Sequence, residues 1–115
     1  MTDQDRIDHE LAAKAAGYVL TFKQGGCKGG AYCGAFIERE GFLMAWRPKE
    51  DDGDAFRLAV KLKIDVMHDD KSDNDAYVMA GAIDHVEDVD DECNRPAATR
   101  LAVFRCAVEI GRAKQ

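Results

Sequence analysis

An α+β domain is predicted by this sequence: a mostly antiparallel sheet of about five strands with helices packed on it, in the order α-β-β-β-α-β-β-α. Three observations predict it. Two stretches combine a helix-start signal with apolar residues at helical spacing, 50–63 and 94–111. Two pairs of β-leaning runs are each joined by a turn signal, 32–46 and 64–83. No repeat, linker or low-complexity stretch divides the 115 residues, so they are expected to share one core, residues 1–115 forming a single domain.

The first helix is predicted over about 4–16. Thr2 and Asp5 stand where a capping pair would, Ile7, Leu11 and Ala15 recur at helical intervals, and Gly17 offers a C-terminal stop. A short strand is expected within 18–23, after which QGGCKGG breaks all regularity and reads as a loop. Runs 32–38 and 42–46 form the first hairpin, with Arg39, Glu40 and Gly41 as a three-residue turn in which Gly41 supplies a positive φ.

The stretch Trp46 to Lys63 joins that hairpin to the second helix. Pro48 lacks a donor for a β ladder and pushes Arg47 toward extended backbone, which stops the strand near Trp46. Trp46 is expected to be a packing residue. Asp51 or Asp52 is the expected N-cap, and Glu50, Asp51, Asp52 and Asp54 lie where the helix dipole favours negative charge. Ala55, Leu58, Ala59 and Leu62 share one face, widened by Phe56 and Val60, and that face is predicted to lie on a sheet while Arg57 and Lys61 face water.

The second hairpin follows, from alternation at Ile64, Val66 and His68 and a run from Tyr77 to Ile83, with 84–92 read as an acidic connection. Asn94 and Pro96 mark the last helix start. Ala97, Leu101, Phe104 and Val108, backed by Val103, Ala107 and Ile110, give it a broad buried stripe, and Cys106 is placed in the core.

Charge is uneven. The net charge is -6, but residues 65–92 hold eleven Asp or Glu against Lys71 alone, or -10, leaving +4 elsewhere. Unpaired carboxylates are costly to bury, so one acidic surface is expected, with Asp69, Asp70, Asp73, Asp75, Glu87, Asp88, Asp90 and Asp91 as its candidate contacts. Such a surface disfavours direct nucleic-acid binding, which draws its affinity from Lys and Arg. No apolar run nears the roughly 20 residues that span a bilayer. The acidic N-terminus lacks a signal-peptide core, so a cytoplasmic location with reduced thiols and no membrane contact is expected. A homo-oligomer stays open.

The remaining constellations carry no chemistry. Cys27 and Cys33 are too far apart for a zinc knuckle, although His9, His68, His85 and Cys93 are available as further ligands. The glycine loop matches neither nucleotide-binding pattern. An EF-hand counted from Asp69 would need Gly at position 74 and Glu at position 80, where Asn74 and Ala80 stand. Asp84-His85 and His68-Asp69 are sequence neighbours and lack a positioned nucleophile. No cofactor, metal or catalytic residue is assigned, and the enzyme question leans to no. The helix, three strands and helix at the start resemble double-stranded RNA-binding domains in outline, but DDGD stands where those carry lysines.

Three stretches, ELAAKAAG, WRPKEDDGDAFRLAVKLKI and PAATRLAVFRCAVEIGRA, together resemble small phage and prophage proteins of unknown function related to the short nin-region proteins of lambda-like phages. The resemblance covers about half the chain and implies a role inside a host cell, with no activity and no functional residue attached. The loop 24–34 and the segment 65–92 follow no pattern of that group. The expected function is therefore a non-enzymatic interaction module that binds a host or phage protein through its acidic surface or an exposed edge strand. The alternative is a small ligand-binding domain or enzyme using the Gly/Cys loop near Trp46.

Overall fold

The structure is a computed structural model that describes residues 2–23, 34–69, 77–81, 85–89 and 92–114. It is an α+β fold in the predicted order with one strand added before the last helix: α1 (Asp3–Ala16), β1 (Leu20–Phe22), β2 (Ala35–Arg39), β3 (Phe42–Ala45), α2 (Asp52–Leu62), β4 (Val66–Asp69), β5 (Tyr77–Ala80), β6 (His85–Asp88) and α3 (Arg95–Ala113), with a 3-10 turn Glu92–Asn94 before α3. The strands divide into two antiparallel sheets, β1-β2-β3 and β4-β5-β6. The sixth strand, β6, occupies residues expected to be connection. Its Asp and Glu content hides its pairing signal, because Val86 is its only β-favouring residue.

Local chemistry explains each boundary. Thr2 Oγ1 accepts from the Asp5 amide at 3.1 Å, and Gly17 ends α1 at φ 77°. The β2-β3 turn is tighter than expected. Arg39 pairs with Phe42, so only Glu40 and Gly41 turn the chain, at φ 52° and 82°. Two positive φ angles match the right-handed twist of a two-residue hairpin, and glycine accepts the second without steric cost. Asp51 is the N-cap of α2 and accepts from the Asp54 amide at 2.8 Å.

The centre of the molecule is α3, which packs against α1, α2, β5 and β6. Its crossing with α1 is close: a Cβ added at Gly111 would lie 1.9 Å from the Leu11 carbonyl oxygen. Only glycine permits that approach. Leu11, Trp46, Leu58, Val78, Val103, Phe104 and Cys106 belong to one buried core.

The second helix corrects an expectation. Among the described residues it rests chiefly on α3 and also touches α1, neither sheet being a main neighbour, and only part of its apolar surface is covered. Leu58 is fully buried, whereas Phe56 is 69% and Val60 60% exposed. A helix neighbour covers a narrower arc than a sheet, and the apolar arc of α2, from Leu58 round to Val60, spans about 200° at 100° per residue.

Candidate functional site

The Trp46 turn is built from backbone outward. The Trp46 amide donates to the Ala35 carbonyl at 2.9 Å, which holds the strand end, and the next amide, that of Arg47, donates to the Asp54 carboxylate at 2.9 Å. Asp54 is buried and also receives the Arg57 guanidinium at 2.7 Å. Arg100 of α3 spans the turn, donating to the Lys49 carbonyl at 2.9 Å and to Asp52 Oδ1 at 2.5 Å. The acids at the start of α2 thus do more than complement its dipole, since they tie turn, α2 and α3 together.

Trp46 is 1% exposed and meets Tyr18 and His9 edge to face, at ring-centroid separations of 5.8 and 5.9 Å. His9 also lies 4.8 Å from the Phe104 ring. Its Nδ1 donates to the Asp5 carbonyl at 2.6 Å, which sets the tautomer. Burial holds the His9 pKa below its ordinary value. Burial opposes ionisation of the Asp5 carboxyl too, but the hydrogen bond and charge of Lys49, 3.3 Å away, outweigh it and lower its pKa. A buried histidine at the centre of an aromatic cluster was not foreseen. His9 falls on the same face as Ala12, Ala13 and Ala16, all buried, and that spacing was the available signal.

Of the eight candidate acids, Asp69, Glu87 and Asp88 fall among the described residues. Glu87 on β6 is half-buried and paired with Arg105 of α3. Backbone register places Asp69 on β4 and Asp88 on β6 on either side of Tyr77 in one cross-strand row. Asp70, Asp73, Asp75, Asp90 and Asp91 lie outside the described residues, as do Cys27 and Cys33. His68 accepts from the Arg95 guanidinium at 3.1 Å. Cys93 is exposed and Cys106 buried, its thiol pKa raised by burial. Among the described residues no group of three His, Cys, Asp or Glu side chains is placed to hold a metal, and no helix is long and apolar enough to cross a membrane.

What the structure does assemble is an open apolar groove of about 690 Å³ between α2 and the first half of α3. Ala55, Phe56, Ala59 and Val60 form one wall, Pro96 and Val103 the other, and Ile64 and Val66 close one end. Of the α2 face expected to be covered, Ala55 and Leu58 are buried, whereas Phe56 and Val60 stand at the rim of this groove. A second cavity, between α1 and α3, is lined largely by charged side chains that include Asp5, Lys49, Arg105, Glu109 and Arg112. Arg112 pairs with Glu109 there, and Lys49 with Asp5. A further apolar surface lies on the edge strand β3, where Phe42, Leu43 and Met44 are exposed.

Compared with models of known protein families, with curated proteins and with solved structures, the chain shows no significant match.

Proposed function

We propose that this domain is a non-enzymatic interaction module and that the groove between α2 and α3 is where it docks a host or phage protein. One observation carries the reading. Phe56 and Val60, large apolar residues in the middle of a well-capped helix, are left mostly uncovered beside a concave apolar surface. Burying apolar area is the dominant gain in protein association, and exposed patches of this kind mark contact sites.

The acidic segment 65–92 supports the same reading, because it begins at Asp65 in the wall of the groove. The resemblance to nin-region proteins supports a partner from the host or phage machinery. Trp46 is buried in packing and lines neither cavity, and residues 24–33 of the Gly/Cys loop lie outside the described residues. The groove volume also falls within the range of small-molecule sites, which keeps an apolar small ligand as the second reading.

The test is photo-cross-linking in cells that make the protein, with a benzophenone amino acid at position 60 and, as control, at exposed position 10 on α1. A discrete protein adduct from position 60, absent from position 10 and lost when Phe56→Glu is added, is the expected result. Identical adduct patterns from both positions would remove the groove as the docking site.

A further inference from the structure

We infer that the edge strand β3 pairs antiparallel with the β3 of a second copy of this chain, about a two-fold axis at Met44, joining two three-stranded sheets into one across a reversible dimer. The strand lines neither cavity, so this surface stands apart from the groove and its partner.

The unused backbone comes first. Trp46 donates to the Ala35 carbonyl, and in an antiparallel ladder every second residue bonds the same neighbour, so Phe42 and Met44 also bond β2 while the N–H and C=O groups of Leu43 and Ala45 point away from it. Among the described residues β3 pairs with β2 alone, and all four of its side chains are exposed. The other sheet edges are each blunted. β4 ends on Asp69, β6 carries Glu87 and Asp88, and the three-residue β1 is half-buried at Leu20 and Phe22, with the Arg6 guanidinium 4.8 Å from the Phe22 ring. β3 has no charge, proline or bulge, the devices by which edges avoid pairing.

Symmetry then selects the occupant. With Met44 opposite Met44, Leu43 of each copy faces Ala45 of the other, and their two donors and two acceptors per copy close four hydrogen bonds. Registers centred one residue to either side would call on Gly41, held at φ 82° by the turn, or on the Arg47 amide, which already donates to Asp54. The side chains that meet across the seam are apolar, Met44 against Met44 and Phe42, 72% exposed, beside the second copy's Trp46. Past the strand, exposed Glu40 comes beside Arg47 of the second copy, whereas parallel pairing would set Glu40 against Glu40. β3 has no polar side chain with which to select a foreign strand, and its own two-fold copy matches it in length, bonding and charge. Four residues a side is far fewer than the roughly 20 to 30 of a standard interface, so the dimer is reversible rather than permanent.

Sedimentation equilibrium of the full chain tests this with a charge exchange at the axis. The wild-type chain is expected to dimerise reversibly below about 1 mM. Met44→Lys and Met44→Glu set like charges opposite each other, so each alone should weaken dimerisation at least about tenfold, and their equimolar mixture should restore it. That rescue requires position 44 to face itself. Position 44 is 44% exposed, which lets both variants fold, and circular dichroism confirms it. Leu43→Pro is the second test: it removes an outward N–H without touching a bond to β2, and it too should leave the chain monomeric. A wild-type chain that stays monomeric up to about 1 mM, a dimer indifferent to the Met44 variants or to Leu43→Pro, no rescue on mixing, or a dimer abolished by Val60→Glu instead would overturn the proposal. The cross-link from position 60 reads the groove separately.

Discussion

Trp46 and Phe56 stand ten residues apart in one stretch of chain, both large and aromatic, and they have opposite fates. Trp46 is 1% exposed, enclosed by His9 and Tyr18, with the amides of the turn satisfied by Ala35 and Asp54. Phe56 is 69% exposed on a helix that is just as well capped. The contrast teaches that a side chain's own hydrophobicity does not decide its burial. What decides it is whether a neighbouring element arrives on that side, and α3 arrives on the Leu58 side of α2 only.

The largest expected effect tests the buried end. Trp46→Ala is expected to destabilise the domain by about 3 to 5 kcal/mol in denaturant unfolding. A loss under about 1 kcal/mol would mean the indole is not the centre of that cluster, and the contrast with Phe56 would collapse. Next, Gly111→Ala drives a methyl group into the Leu11 carbonyl and is expected to cost about 1 to 3 kcal/mol by forcing α1 and α3 apart. Thermal unfolding of Gly111→Ala beside Gly17→Ala, whose added Cβ meets nothing, separates this clash from backbone strain at positive φ.

Acid sharpens the comparison further. His9 has its pKa lowered in the folded state, so the unfolded chain takes up the proton first as pH falls below about 6.5. Its contribution to stability is complete above that value and is lost as pH falls through the lower folded pKa. The lowered pKa of Asp5 acts in the same direction at still lower pH, below the ordinary carboxylate value. His9→Phe is therefore expected to flatten the slope of stability against pH just below pH 6.5, measured by urea midpoints, and an unchanged slope would clear His9 of that role. The smallest effect belongs to the exposed end. Phe56→Ser should change stability by no more than about 0.5 kcal/mol beyond helix propensity, and a larger loss would place Phe56 in the core after all.

Much of the fold was legible because its signals are local. Caps at Thr2 and Asp51, the stop at Gly17, the strand end before Pro48 and the stripe of the last helix each depend on residues within one or two turns. The expected three-residue turn at Gly41 is a two-residue one, since Glu40 also adopts positive φ, a conformation its side chain does not announce. β6 was missed because an acidic strand is defined by the partner it pairs with, here β5, rather than by its own composition. Of the candidate site, the acidic residues were legible as charge alone. Glu87 shows why this was too little: its carboxylate on β6 meets Arg105, a residue 18 positions away on α3.

By itself the sequence determined the order of the elements other than β6, and the caps, because hydrogen-bonding and steric preferences of short segments act before any packing is chosen. Only the tertiary structure decided that the strands form two sheets, that α3 is the hub, and that α2 turns Phe56 and Val60 outward beside a groove. The physical reason is that helical periodicity gives the width of an apolar arc and says nothing of how much a neighbour can cover. On α2 the arc is about 200° wide, and a single helix packed against it leaves the excess exposed.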